Sequence, residues 1–587
     1  MATDYHGAGM RFLRMLTNAI AGGVLVALYL AVLVLQLNPQ VPIVSLAAVR
    51  WFGALLAFYG PYLAAALYVM LLGLEAVAGR ALRPGWFSVR LLAWLGAAGA
   101  AAAAAITWAN LEAYRPVLSP LDADRMRQGA IATTVFAVVL VTIAVLRYSF
   151  GRKGSRATAG LLMISMVLSV AVPLWFRGAG ETFVKPPRRW TAPMPIAAAP
   201  RVVVIALDGA SLGLIRQRVA AGRLPNFGRM LDRGALIDLS TLQPTQAGPV
   251  WMAAATGKTP QNNGVRSESV YRVDPSDTDV VDILPDYCFA SALVTQGFVT
   301  ATPREPLRLR PMWDILADYG LASGIVGWPL TYPAHAERGY IVSDRFDEAA
   351  SSPLRLADAR SGDPTTAVDV AREHFDAWQG KPWRDVLPAL SISEPEPIDL
   401  AYARWDRAYS ATAAELERQF APRLSAVRYE GLAAFGHAYL REAEPELFGD
   451  VRRPDPQRSV LDRDYIQLDN EIGEALRNLA PGDLLLVVSG FGMERVPVAK
   501  RLFGGLLGFR NYSGTHEYAP DGFLLAYGSN VASGQFPRGA ITDLAPTVLY
   551  YMGVPVGRDM DGFARTDLFG AAFTLEHPVK YVASHDK

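Results

Sequence analysis

Cysteine is almost missing from this chain: 587 residues hold one, Cys288. A lone thiol excludes an intramolecular disulfide and every metal motif built on paired cysteines, and it leaves the redox compartment open. An excess of one charge sign is missing too. The formal net charge is +1, so bulk electrostatics gives no reason to expect a nucleic-acid partner. No internal repeat occurs, which removes repeat architectures. Apolar residues, by contrast, make up 51% of the chain. That is high for a soluble enzyme, and their distribution explains it.

Five apolar runs are long enough, or nearly so, to cross a hydrocarbon layer of about 30 Å. They lie at about 16–37, 51–74, 91–110, 129–146 and 159–176. A cleaved signal peptide would account for the first but not for the next four. Arg11 and Arg14 precede the first run, and Arg80, Arg83 and Arg90 follow the second. Arg147, Arg152, Lys153 and Arg156 follow the fourth. The positive-inside rule then puts the N-terminus in the cytoplasm and everything past Phe176 outside it. The expected location is an inner-type cell membrane with a periplasmic or otherwise extracytoplasmic domain. Gly96, Gly99 and Ala100 begin an Ala-rich face suited to close packing inside the bundle. Glu75, near a span edge, can snorkel or pair with Arg80.

Residues 178–200 are too proline-rich for a helix and read as an extended linker. From 201 to about 575, strand and helix signals alternate. This predicts an α/β domain with a mostly parallel sheet and helices on both faces. Residues of about 347–422 turn polar and helical and read as a helical cap insertion; 576–587 form a tail. The stretch RVVVIALDGA is an apolar strand that delivers Asp208 at its C-terminal end, where such sheets place their sites.

That strand, the following GRLPNFGRMLDRGA helix and the QPTQAGPVWMAAATGKTPQNNGV segment resemble the type I phosphodiesterase/nucleotide pyrophosphatase family of the alkaline phosphatase superfamily. The loop from Trp328 to Pro333, the VVSGFGM strand and the ITDLAPTVLYYMGVPVGRDMDG segment fit the same resemblance. It implies a site with two divalent metals that activate a Thr or Ser nucleophile and clamp a phosphoryl group. Counting from Pro249 and Trp251, the nucleophile position is Ala247; Thr245 could replace it only if the loop shifted by two residues.

The resemblance also assigns metal ligands. For the first metal His437 and His516 survive, and the Asp four residues before His437, on the same helix face, is Ala433. For the second, Asp208 survives, but the adjacent Asp-His pair reads Gly490-Phe491. The His-Gly after the nucleophile helix is Asn263-Gly264. Zinc needs three or four N or O ligands, and Ala, Gly and Phe side chains supply none. Ordinary roles stand open for the survivors: Asp208 capping the next helix, His437 buried and satisfied, His516 structural beside Glu517. The expectation is therefore a membrane-anchored, phosphodiesterase-like pseudoenzyme that binds, scaffolds or regulates in a membrane assembly. No catalytic residue and no cofactor are expected, the alternative being one weakly bound Zn or Mn at Asp208, His437 and His516. The expected partners are other membrane or extracytoplasmic proteins, or lipid, at an uncharged pocket lined by Ala247, Ala433 and Phe491. The competing reading is an active metal-dependent phosphodiesterase or phosphotransferase acting on an extracytoplasmic or lipid-linked phosphoester.

Overall fold

The computed structural model describes residues 2–78, 86, 88–149, 156–177, 193–267, 269–274, 276, 279–282, 297–303, 310–346, 359–378, 400–449, 459–498, 501 and 513–586. The chain forms two compact units, one of residues 1–186 and 269–303, the other of 187–268 and 304–587.

The first unit carries helices α1 (Ala2–Leu37), α2 (Leu46–Ala78), α3 (Val89–Tyr114), α4 (Pro120–Ser149) and α5 (Arg156–Phe176). All five are long and apolar enough to cross a membrane, which marks a multi-pass membrane protein. The Ala-rich face of α3 packs inside the bundle: Ala93, Ala97, Ala100 and Ala103 are buried with Leu25, Tyr29 and Leu140. Gly99 faces the Tyr29 ring, which would lie 3.0 Å from an added Cβ. Glu75 pairs with Arg11 at 3.0 Å; Arg80, its expected partner, lies outside the described residues. Arg177, just past α5, donates to the carbonyls of Leu35 at 2.7 Å and Asn38 at 2.8 Å, which satisfies the open end of α1.

Residues 201–575 are expected as one continuous domain, and here the structure differs. Strands Ser269–Arg272, Val281–Asp282 and Thr300–Pro303 form a small antiparallel sheet that belongs to the helical unit. Val281 and Val299 are buried with Val41, Trp51 and Leu55. Asn38 locks the sheet in place by donating to Asp282 O at 2.9 Å and accepting from Asp282 N at 2.7 Å. The physical reason is apolar burial between segments far apart in sequence.

The second unit is an α/β domain. Its main strands are β1 (Val202–Leu207), β2 (Ala235–Ser240), β3 (Ser323–Trp328), β4 (Gly339–Ser343), β5 (Gly362–Asp363), β6 (Leu424–Tyr429), β7 (Leu484–Phe491) and β8 (Asp521–Tyr527). They lie in the order β2-β8-β7-β1-β6-β3-β4-β5. The stretch β7-β1-β6-β3-β4 is parallel throughout; β8 and β5 run against it. The helices are α6 (Leu212–Ala220), α7 (Pro225–Arg233), α8 (Ala247–Thr256), α9 (Met312–Asp318), α10 (Thr365–Trp378), α11 (Leu400–Phe420), α12 (Gly431–Ala443), α13 (Val460–Arg477) and α14 (Leu544–Tyr551). Alternation along β1 sends Val202, Val204 and Ala206 into one core layer with α8, α9 and α14. Ile205 and Leu207 enter the opposite layer with α6, α7, α12 and α13.

The expected helical cap is not separate where it is described. Residues 362–363 add the edge strand β5, and α10 and α11 bury Ala367, Phe375, Tyr409 and Leu416 against Val326 and Val342 of the sheet. Residues 347–358 and 379–399 of that segment lie outside the described residues. The expected tail is docked as well. Tyr581–Val582 pair with Val556–Gly557, and buried Lys258 bonds Asp559 at 2.8 Å and Asp586 at 2.7 Å. A buried ammonium needs such partners, which is why the chain end folds back.

Candidate functional site

Five parallel strands end side by side, and the residues at those ends form the candidate site. Asp208 follows β1, Arg428 and Tyr429 close β6, Gly490 and Phe491 close β7, and Asp344 follows β4. Asp208 is buried to 1% exposure, and its backbone N–H donates to Tyr429 O at 3.0 Å. The indole Nε1 of Trp251, on α8, donates to Asp208 Oδ1. Arg428 donates to Oδ2 through Nε at 3.1 Å and again through Nη2. Asp208 does not cap the next helix; Ser211 does, accepting from Leu214 N.

Trp251 is itself held by an aromatic cluster. Its ring meets Trp328 edge-on at 5.2 Å, and Trp328 meets Trp313 at 5.7 Å. The Trp328 indole donates to Trp251 O at 3.2 Å. The indole aimed at Asp208 is therefore fixed from behind.

The loop to which the resemblance assigns the nucleophile leads from β2 into α8. Ala247 opens α8, behind Gln246, which makes no side-chain cap. Thr245 is fully buried; its hydroxyl donates to Leu242 O and its N–H to Glu517 O, both at 2.8 Å. That side chain is committed to its own loop. Asn263 is structural, donating to Lys258 O at 2.8 Å and accepting from Val265 N at 2.8 Å.

His437, on α12, and His516 are brought together, their rings 5.0 Å apart. His437 Nδ1 donates to Gly514 O at 2.9 Å, and His516 Nδ1 lies 3.3 Å from Thr245 O. Phe491, fully buried, packs its ring 4.9 Å from His516. Ala433 presses on Gly209, at φ +73°, where an added Cβ would meet Ala433 Cα at 2.9 Å. At Gly490 even a methyl would come within 2.7 Å of Val250. Of the three residues expected to line an uncharged pocket, Ala433 and Phe491 are buried and packed in this way, and Ala247 is half-buried.

A match to the type I phosphodiesterase/nucleotide pyrophosphatase family model runs over residues 202–510. The chain belongs to this family. Human ectonucleotide pyrophosphatase/phosphodiesterase 5 aligns over 100% of its own chain and 63% of this one, at 12% identity and a TM-score of 0.37. The murine protein of the same name aligns over the same shares at 13% and 0.34. The alkaline phosphatase PafA aligns over 100% of its chain and 64% of this one, at 12% and 0.41. Among curated proteins, none matches this chain in sequence.

For a member of this family the question is whether the residues fit two metals. They do not. Three or four N or O donors per ion are needed, and among the described residues no three His, Cys, Asp or Glu side chains gather closely enough to hold one. The positions to which the resemblance assigns further ligands carry Ala433, Gly490 and Phe491, and Asp208 has both oxygens engaged.

Sequence reasoning missed Arg428. Its signal is a single basic residue in the apolar stretch LSAVRY, which the structure makes the strand beside β1. Also missed is a buried acidic group next to it. Asp406 accepts from Glu430 N at 3.0 Å and Gly431 N at 2.9 Å. A Cβ on Gly431 would lie 2.6 Å from Asp406 and 3.1 Å from Asp464, so the two carboxyls are neighbours. Burial, then the charge of Asp464, pushes Asp406 well above the ordinary carboxylate range. Burial pushes Asp464 up to about 7, against the pull of Arg407. Burial also raises Asp344, opposed by Ser343 and Arg428.

Proposed function

We propose that this protein is a membrane-anchored, phosphodiesterase-like subunit that has given up metal-dependent catalysis and serves to bind, scaffold or regulate within a membrane assembly. One observation carries the reading: Asp208, the survivor of the second metal's ligands, has its two oxygens taken by Trp251 and Arg428. Ala247 in the nucleophile position and Ala433, Gly490 and Phe491 in ligand positions point the same way. A carboxylate already neutralised by a buried guanidinium gains little from a cation and loses a partner to it.

The Arg-rich loops before the first span and after the second and fourth support a cytoplasmic N-terminus and an extracytoplasmic α/β domain. Partners would then be membrane or extracytoplasmic proteins, or lipid, held at high effective concentration by the shared membrane. A second reading has an observation of its own. His437 and His516 stand 5.0 Å apart, which favours a single weakly held Zn or Mn and, with it, residual phosphoester chemistry.

Two measurements on the purified full-length protein decide between them: elemental analysis for zinc and manganese, and phosphodiester hydrolysis with and without added metal. The expected result is substoichiometric metal and no hydrolysis above a denatured control. Metal-dependent hydrolysis by the wild-type chain overturns the non-catalytic reading.

A further inference from the structure

Arg428 stands on the same face of β6 as Leu424 and Ala426, which are buried in the apolar layer shared with Trp251 and Trp328. Its side chain is 7% exposed and that of Asp208 2%. Such a site is hostile to a lone charge, so each group is tenable only because of the other. The contact is also directional. Arg428 Nε lies 3.1 Å from Asp208 Oδ2 and Nη2 reaches the same oxygen, while Trp251 Nε1 donates to Oδ1. Nη1 turns away, 3.5 Å from Gly327 O and 3.5 Å from Glu430. One carboxylate thereby ties β1, β6 and α8 together.

A divalent cation could reach Asp208 only by displacing the guanidinium, which would leave a buried cation without its main partner. We propose that Arg428 is a built-in counter-cation for Asp208. It meets, from within the chain, the need for positive charge at this strand end and closes the position to metal ions. This deepens the non-catalytic reading of the site but makes a separate claim: the strand ends are held together by a side chain and are indifferent to metal.

The test uses the full chain in detergent, with Zn2+ or Mn2+ alone as the probe. Wild-type melting temperature should be the same with EDTA, with Zn2+ and with Mn2+. Arg428→Met should melt roughly 5–10 °C lower, since it strands a buried carboxylate. Adding Asp208→Asn to that variant should recover most of the loss, because an amide carries no charge to pair. Where Arg428→Met gives no folded protein, folded protein from Arg428→Met/Asp208→Asn supports the proposal and its failure overturns it. A wild-type melt that rises with Zn2+ or falls with EDTA also overturns it, as does a double variant no more stable than Arg428→Met. Hydrolysis by the wild type bears on the non-catalytic reading instead; a metal-indifferent melt would leave the counter-cation standing even then.

Discussion

Replacing Asp464 with asparagine should stabilise this protein at pH 8 distinctly more than at pH 5. Asp464 and Asp406 are buried neighbours beside the N-terminus of α12, and Asp464 Oδ2 has no hydrogen-bond partner among the described residues. Arg407, Glu471 and Tyr429 line the same small cavity, with Glu430 at the helix start. Two neighbouring buried carboxylates cannot both ionise cheaply, so the pair keeps a proton well above the ordinary carboxylate range. Burial lifts Asp464 from 3.8 to about 7. A raised carboxyl contributes stability that is complete below its ordinary value and drains away as pH climbs through the folded value. At ~1.4 kcal/mol per pH unit, the window from 3.8 to about 7 sets a loss of at most about 4 kcal/mol by pH 8. An amide at 464 can donate to Asp406 and never ionises, so it escapes this loss. Urea melts of the full chain and of Asp464→Asn at pH 5 and pH 8 measure the gap between them. A gap that stays constant across that range, or a variant weaker at both pH values, refutes the retained proton.

Three further outcomes are expected. Phe491→Ala should cost about 3–5 kcal/mol by leaving a cavity against His516, read from the shift in denaturant midpoint; a smaller cost would mean that the strand end is less tightly packed than its burial implies. Lys258→Met should remove the ammonium that Asp559 and Asp586 share and cost about 2–3 kcal/mol, with limited proteolysis then cutting near the docked chain end; an unchanged digestion pattern would show that the chain end is held without it. A reporter fused after Gly178 should be active only as an extracytoplasmic reporter, and a cytoplasmic signal would reverse the assigned orientation.

Local features are legible in the order of residues alone. Continuous apolar runs announce the five helices, because membrane length is a one-dimensional constraint. The β-branched run before Asp208 announces β1. What escapes is non-local. The role of Arg428 depends on β6 lying next to β1, and more than 200 residues separate Arg428 from Asp208. Thr245 reads as an available hydroxyl, yet the fold turns that hydroxyl toward Leu242. The polar composition of α10 and α11 suggests a cap, yet each has one apolar stripe, enough to cover the sheet beside β3 and β4.

The excursion of residues 269–303 into the helical unit makes the α/β unit discontinuous in sequence. During synthesis the five helices are complete before the first strand of that unit emerges, and the chain then crosses between the units three times. The sheet cannot finish until β8 arrives, so its early strands must wait unpaired through a long, slow stage of folding. A shortened chain starting at Pro187 would keep residues 269–303 but lose Val41, Trp51 and Leu55, which bury Val281 and Val299. Anyone wanting the α/β unit alone would have to bridge Glu268 to Arg304 as well as remove the helices.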